Sequence, residues 1–326
     1  MTRLILTSLS GTELMLSDLA DVVVIFSFRF VSGPLSSPDE LAFYLAARSD
    51  QHTAGTHWST FSGRWPADAE ARKNLGLVEF CQHCETVELW FDPGPNDQLL
   101  LVWLLDTFRS HPEILDRLKW RIVDFDLGGA SLKELRQWHV QAVDVTRDEL
   151  ETAHVTWQAY RAPTPETCFD LLGEDLSALP LLKPALLDLL EELPSGATGL
   201  GATEMRLLEL IATGYANTNA LFYLPTLRQR RVFKDMEIGS LLEGLAHGPR
   251  PAVAGLDDEL RTLETRNHRG RLEAYQRSRL SLTEFGKAVV AHKEDFSRHN
   301  AIDRWWGGTR LTSDRLWRWN PTLMKP

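Results

Sequence analysis

The sequence predicts an α/β protein with a Rossmann-like parallel sheet at the N-terminus, a helical middle region and a C-terminal winged-helix-like domain. Three observations lead there. Aliphatic, β-branched runs alternate with helix-length segments through the first third of the chain, and one stretch spells out a whole βαβ unit. After residue 146 the strand pattern stops and helical periodicity takes over. Beyond a small-residue stretch at 194–199 come three helices, a strand pair and a closing helix, in the order and lengths of a winged helix-turn-helix.

Residues 3–8 read as a strand, 13–20 as a short helix and 21–27 as a buried parallel strand, because Val22-Val23-Val24-Ile25-Phe26 is apolar without alternation. Helical stretches follow at 38–49 and 67–83. The βαβ unit comes next: strand 87–92, a Pro-Gly-Pro-Asn loop, a helix over 97–108 and a strand over 120–126. Residues 99–105 and Phe108 make that helix apolar on nearly every face, so it belongs between layers. Thr146 and Glu149 form a capping box that opens a helix to about residue 160. Thr164-Pro165 starts another, and 179–193 carries Pro180 and Pro184, which predicts a kinked or two-piece helix. Residues 194–199 combine turn formers with almost no bulk and read as a linker. Helices at 203–212, 235–247 and 255–265 follow, then a hairpin of 271–276 with 279–282, and a helix from 283 to about 293. Residues 303–319 hold four of the eleven tryptophans, too aromatic for a free tail, so this segment is expected to dock. The expected domains are 1–145, 146–198 and 199–299, with 300–326 as the docking tail.

At 326 residues the chain is about twice a typical domain, and with 43 % hydrophobic and 25 % charged residues it is neither disordered nor supercharged. The net charge of −10 argues against a blanket grip on nucleic acid or an anionic membrane. That charge is polarised: residues 1–202 carry −15 and residues 203–326 carry +5. Thr7, Ser8, Ser10 and Glu13 break the N-terminal apolar run, so no signal peptide or membrane anchor is readable. Three cysteines do not make a disulfide framework, and a cytoplasmic location is expected.

Three segments together resemble the family known as domain of unknown function 1835. They are Val87-Glu88-Leu89-Trp90-Phe91-Asp92 leading to Asp97-Gln98-Leu99, Gly199-Leu200-Gly201-Ala202-Thr203-Glu204 leading to Leu207-Leu208, and Asp303-Arg304-Trp305-Trp306-Gly307-Gly308 ending in Trp317-Arg318-Trp319. The Ser32-Gly33-Pro34-Leu35 turn is similar to that family as well. The resemblance implies a Rossmann-like N-terminal region, a helical middle and a winged-helix-like C-terminal part. It implies no reaction.

In an open parallel sheet, ligands bind beyond the carboxyl ends of the strands. Those ends offer Gly11 and Thr12, Arg29 with Ser32 and Gly33, Asp92, Asp97 and Gln98, and Asp126 with Gly128-Gly129. Arg64-Trp65 joins a cation to an aromatic face, suited to a base, carboxylate or phosphate, though such pairs are as often packing staples. Arg304, Trp306, Gly307 and Gly308 form a second cation-and-indole strip able to complete a nucleotide-like pocket, or to clasp two parts of the chain. Cys81-Gln82-His83-Cys84 lacks further zinc ligands and ends a helix instead of starting one, so it reads as structural. No GxGxxG, Walker, GxSxG or HExxH sequence occurs, and no cofactor or metal is indicated.

The expected recognition helix opens with Leu256-Asp257-Asp258-Glu259, which would repel phosphates, whereas Arg266, Arg269, Arg271, Arg277 and Arg279 make the neighbouring wing basic. The leading expectation is a protein that binds a small anionic or nucleotide-like ligand at the sheet edge and contacts nucleic acid or a protein through its winged-helix-like part. One alternative is a metal-dependent enzyme acting on a phosphoester or nucleotide, with Asp92 and Asp97 holding the cation and Arg64 the anionic group. Another is a non-catalytic scaffold. Whether the chain is an enzyme stays open at this point.

Overall fold

The apolar run at 22–26 is buried at every position and forms β2 (Val22–Phe26), which pairs in parallel with β1 (Thr2–Ser8). The structure, a computed structural model, describes residues 2–63, 65–66, 70–138, 141–218, 221, 232–256 and 277–326. On its other side β1 pairs in parallel with β3 (Cys84–Phe91), and β3 with β4 (Leu118–Ile122). A two-residue strand, β5 (Val143–Asp144), adds an antiparallel edge, so the order is β2-β1-β3-β4-β5. The chain therefore steps outward from β1 to β2 and returns to β3 on the opposite side of β1. This reversal puts the topological switch point between the carboxyl ends of β1 and β3.

Each crossover follows from local chemistry. The Pro95–Phe108 helix between β3 and β4 has Pro95 at its start and is buried on nearly every face, as its composition predicts. It packs on β3 and on the Arg147–Tyr160 helix, which opens with the expected Thr146–Glu149 capping box. The helix expected over 13–20 is instead a 3-10 segment, Leu9–Leu16, starting directly after β1. Ser8 explains the shift: its hydroxyl accepts the Ser10 N–H and starts the turn early. Strand β4 also comes earlier than the expected 120–126, and at the far end of that stretch Asp126 accepts the Gly128 N–H and opens a turn. The helix expected over 67–83 is reduced to Leu77–Gln82 among the described residues, with Gly76 at its start.

One sheet face carries a buried ion network. Glu88 accepts from Arg3 of β1 at 2.8 Å, Arg121 of β4 at 2.7 Å and the Trp90 indole at 2.9 Å. Two guanidiniums and an N–H satisfy both carboxylate oxygens, which is how a charged residue is tolerated mid-strand. They hold the Glu88 carboxyl below its usual range even though burial acts the other way.

The chain divides into two compact units: residues 1–30, 34–161 and 170–185, which include the sheet, and residues 31–33, 162–169 and 186–326. The second unit is built around the helices Ala202–Ala212, Asp235–His247 and Glu284–Val290, whose Leu207, Leu208, Leu242, Leu245 and Val289 share a core with Val253, Phe285 and Phe296. Ser281–Leu282 pairs antiparallel with Val253–Ala254, and Arg279 bridges to Asn217. Val253–Ala254 is the described partner of 281–282, which the hairpin expectation did not include. The 271–276 stretch and most of the helix expected over 255–265 lie outside the described residues.

The tryptophan-rich tail folds onto its own unit. Asp303–Trp306 and Thr309–Thr312 form an antiparallel hairpin turned by Gly307-Gly308, with Gly307 at φ +54°. The Trp306 indole donates to the Leu189 carbonyl at 2.6 Å. Trp319 and Arg318 bond to the backbone of Pro194, Ser195 and Gly196, so the stretch expected to be a linker is a tied turn. The Leu182–Glu191 helix is a single piece: Pro184 falls in its first turn, where no intrahelical N–H bond is lost.

Candidate functional site

The switch point is closed by its own hydrogen bonds. Ser8 donates to Asp97 at 2.5 Å, and the Gly94 N–H donates to Asp92 at 2.8 Å. Gln98 donates to the Asp92 carbonyl at 2.7 Å. Asn96, which carries no motif signal, accepts the Phe30 N–H at 2.8 Å and donates to the Phe28 carbonyl at 3.0 Å, tying the loop after β2 to the helix start. Asp92 and Asp97 are only 6 % and 3 % exposed. Burial first, and then the Asp97 carboxylate, push the Asp92 carboxyl far above its ordinary range, with Asp126 adding to the effect. Asp92 and Asp97 thus lie buried side by side, with their partners drawn from the loop and helix start around them.

The other residues expected at this edge have local duties. A Cβ on Gly11 would lie 2.2 Å from the Thr7 hydroxyl, so glycine is needed for the turn to approach β1. Thr12 donates to the Leu9 carbonyl at 2.7 Å. Arg29 is half-buried in the loop after β2. Trp65 packs against Trp58 and Phe80 and donates to Ser62, which makes it a packing staple; Arg64 lies outside the described residues. Cys81 and Cys84 are buried, and burial raises both thiols, Cys84 to about 12, which removes the thiolate that metal binding or redox chemistry needs. Among the described residues no group of three or more His, Cys, Asp or Glu is arranged to hold a metal ion.

A different subset of the expected residues converges in the second unit. A cavity of about 380 Å³ is lined by Ser32, Gly33, Arg304 and Trp306, together with Trp305, Phe233 and Leu241. Val31, Leu189, Val232 and Leu311 extend the apolar wall, while Glu192, Glu237, Asp303 and Ser240 supply polar groups. Such a volume and such a lining are usual for small-molecule sites. Gly307 and Gly308 contribute the hairpin turn that places Arg304 and Trp306, instead of lining the cavity themselves.

Charge in the cavity is uneven. Arg304 donates to Glu204 at 2.9 Å and to the Glu192 carbonyl at 3.4 Å. Asp303 is paired with Arg310, and Glu237 accepts the Lys234 N–H at the start of its helix. Glu192 differs from all of these. It is 8 % exposed, its carboxylate accepts the N–H and hydroxyl of Thr203, and no described cation forms an ion pair with it. Burial pushes its carboxyl up to about 7; Glu204 adds to this, and the Thr203 bonds and Arg304 oppose it. Gly201 lets the two helices meet here, since a Cβ would lie 2.7 Å from the Glu192 carbonyl oxygen. No sequence motif announced Glu192, which sits in an ordinary helix-end Glu-Glu-Leu-Pro.

Of the expected nucleic-acid contacts, Arg277 and Arg279 are exposed beside the short strand pair, and Arg266, Arg269 and Arg271 lie outside the described residues. No described helix is long and apolar enough to cross a membrane. No model of a known protein family matches the chain, and no curated protein matches it in sequence.

Proposed function

We propose that this chain is a small-molecule-binding protein and that its ligand occupies the cavity of the second unit. The cavity itself carries the reading: four separate segments, at 31–33, 189–192, 232–241 and 303–311, converge on a space of ligand size with aromatic walls and few polar groups. The resemblance to domain of unknown function 1835 is consistent with this, since two of its segments supply Ser32, Gly33, Arg304 and Trp306. Native mass spectrometry of freshly purified protein should show a retained small molecule. Leu241→Trp, which fills the space, should remove it while leaving the circular dichroism spectrum unchanged. A retained molecule that survives Leu241→Trp would overturn the assignment.

A second reading, contact with nucleic acid, has one observation in its favour. The helices Ala202–Ala212 and Asp235–His247, the Asn217–Arg279 bridge and the antiparallel pair Val253–Ala254 with Ser281–Leu282 follow a winged-helix order. In sequence order the arginine-rich stretch 261–279 comes between the two paired strands, as a wing does, and most of it lies outside the described residues. The Asp235–His247 helix, with Asp235, Glu237 and Glu243, does not suit phosphate contact, so the wing would carry the binding. Arg277→Glu with Arg279→Glu should abolish retention of a labelled DNA duplex at low salt. Unchanged retention would overturn this reading.

A further inference from the structure

We infer that the cavity takes a cationic ligand, an amine joined to an apolar or aromatic body, whose positive end pairs with Glu192; this rests on the reading of the cavity as the ligand site. Among the described residues three acidic residues line the space, Glu192, Glu237 and Asp303, against one basic residue, Arg304. Arg304 is already committed to Glu204. Among the described residues that line the cavity, an anionic ligand would find no unspent cation.

Glu192 specifies the class. A buried carboxylate is normally satisfied by a cation or by several donors, yet among the described residues its partners are the neutral donors of one residue, Thr203. The groups facing it are Thr203 and Glu204 from the Ala202–Ala212 helix and Arg304 from the hairpin, with Glu237 and Asp303 on the same cavity. In the empty cavity the Glu192 carboxyl keeps a proton to near neutrality, which removes the cost of an unpaired buried charge. When an ammonium enters, that proton leaves to solvent, and the carboxylate and ammonium form the pair. Trp305, Trp306 and Phe233 supply the aromatic surface that favours both the apolar body and the positive charge.

The test uses three probes of similar shape and different charge, phenethylamine, phenethyl alcohol and phenylacetate, titrated calorimetrically into the full chain at about pH 8. The amine should bind at least about tenfold more tightly than the alcohol, and phenylacetate should bind most weakly. Binding of the amine at neutral pH should release a proton, seen as a dependence of the heat on the buffer's ionisation enthalpy. Its advantage over the alcohol should shrink as the pH falls below the Glu192 value of about 7. Glu192→Gln should bring amine and alcohol to equal affinity; if that variant does not fold, the pH series on the unmodified protein decides. Equal binding of amine and alcohol by the unmodified protein, or an amine advantage that ignores both pH and Glu192→Gln, overturns the cation assignment while leaving the cavity as a ligand site. Failure of all three probes to bind overturns the cavity reading as well.

Discussion

The end of the parallel sheet and the cavity of the second unit each bury acidic side chains beside a helix start, but they use them in opposite ways. At the sheet end, Ser8, Gly94 and Gln98 turn inward and engage Asp97 and Asp92, so the polar groups are spent on one another. In the cavity, Glu192 has one described residue, Thr203, as the hydrogen-bond partner of its carboxylate and borders open space. A buried carboxylate with a shifted pKa is therefore not enough to mark a ligand site. The open space beside it makes the difference.

The sharpest break of this comparison is Trp306→Ala. Trp306 is 5 % exposed, lines the cavity and donates to the Leu189 carbonyl. Truncation should cost about 3–5 kcal/mol, from lost burial together with an unpaired carbonyl, and should also abolish probe binding. Calorimetric unfolding would show the loss in the transition of the second unit. Unaltered stability would mean that the hairpin does not hold the cavity wall.

Next in size is the dependence of stability on pH. The folded-state pKa of Glu192 is raised from 4.5 to about 7, so the folded protein holds a proton that the unfolded chain has lost across that window. The stability this proton confers is full below the unfolded value and is lost as pH rises through the folded one. The loss amounts to about 3 kcal/mol by neutral to mildly basic pH. Glu192→Gln should remove it, so the variant's advantage over the unmodified protein should grow between about pH 5 and about pH 8 in urea denaturation. A constant difference would show that Glu192 is not the titrating group. Asp92 is raised in the same sense and contributes to both proteins alike, so it cancels in the difference.

The same contrast explains which features were legible in sequence. The β-branched run of β2, the all-apolar Pro95–Phe108 helix and the Thr146–Glu149 box declare themselves through composition and local hydrogen bonding, and each stands at or close to its expected place. The first crossover did not, because a single hydroxyl, that of Ser8, decides between a helix at 13–20 and a 3-10 turn at once after the strand. Ser32, Gly33, Arg304 and Trp306 were singled out, but as parts of an anion site at the sheet edge. Their actual assembly depends on Glu192 and Phe233, distant residues with no local signature. The engagement of Arg304 has no local signature either: it donates to Glu204, a pairing between residues 100 positions apart.

The smallest expected effect tests the closed end of the comparison. Asp97→Asn keeps an acceptor for the Ser8 hydroxyl and removes the charge that helps to raise Asp92. The Asp92 carboxyl should move down, followed by carbon-13 NMR of its side chain, but it should stay above the ordinary carboxylate range, because burial is the larger cause and is unchanged. Stability should change by no more than about 1 kcal/mol, since one acceptor replaces another of nearly the same shape. Probe binding in the cavity should be untouched. A return of Asp92 to its ordinary value would make charge repulsion, not desolvation, the dominant force at the sheet end. In that case a cation reaching Asp92 and Asp97 would relieve the same repulsion, and the sheet end would resemble the cavity after all.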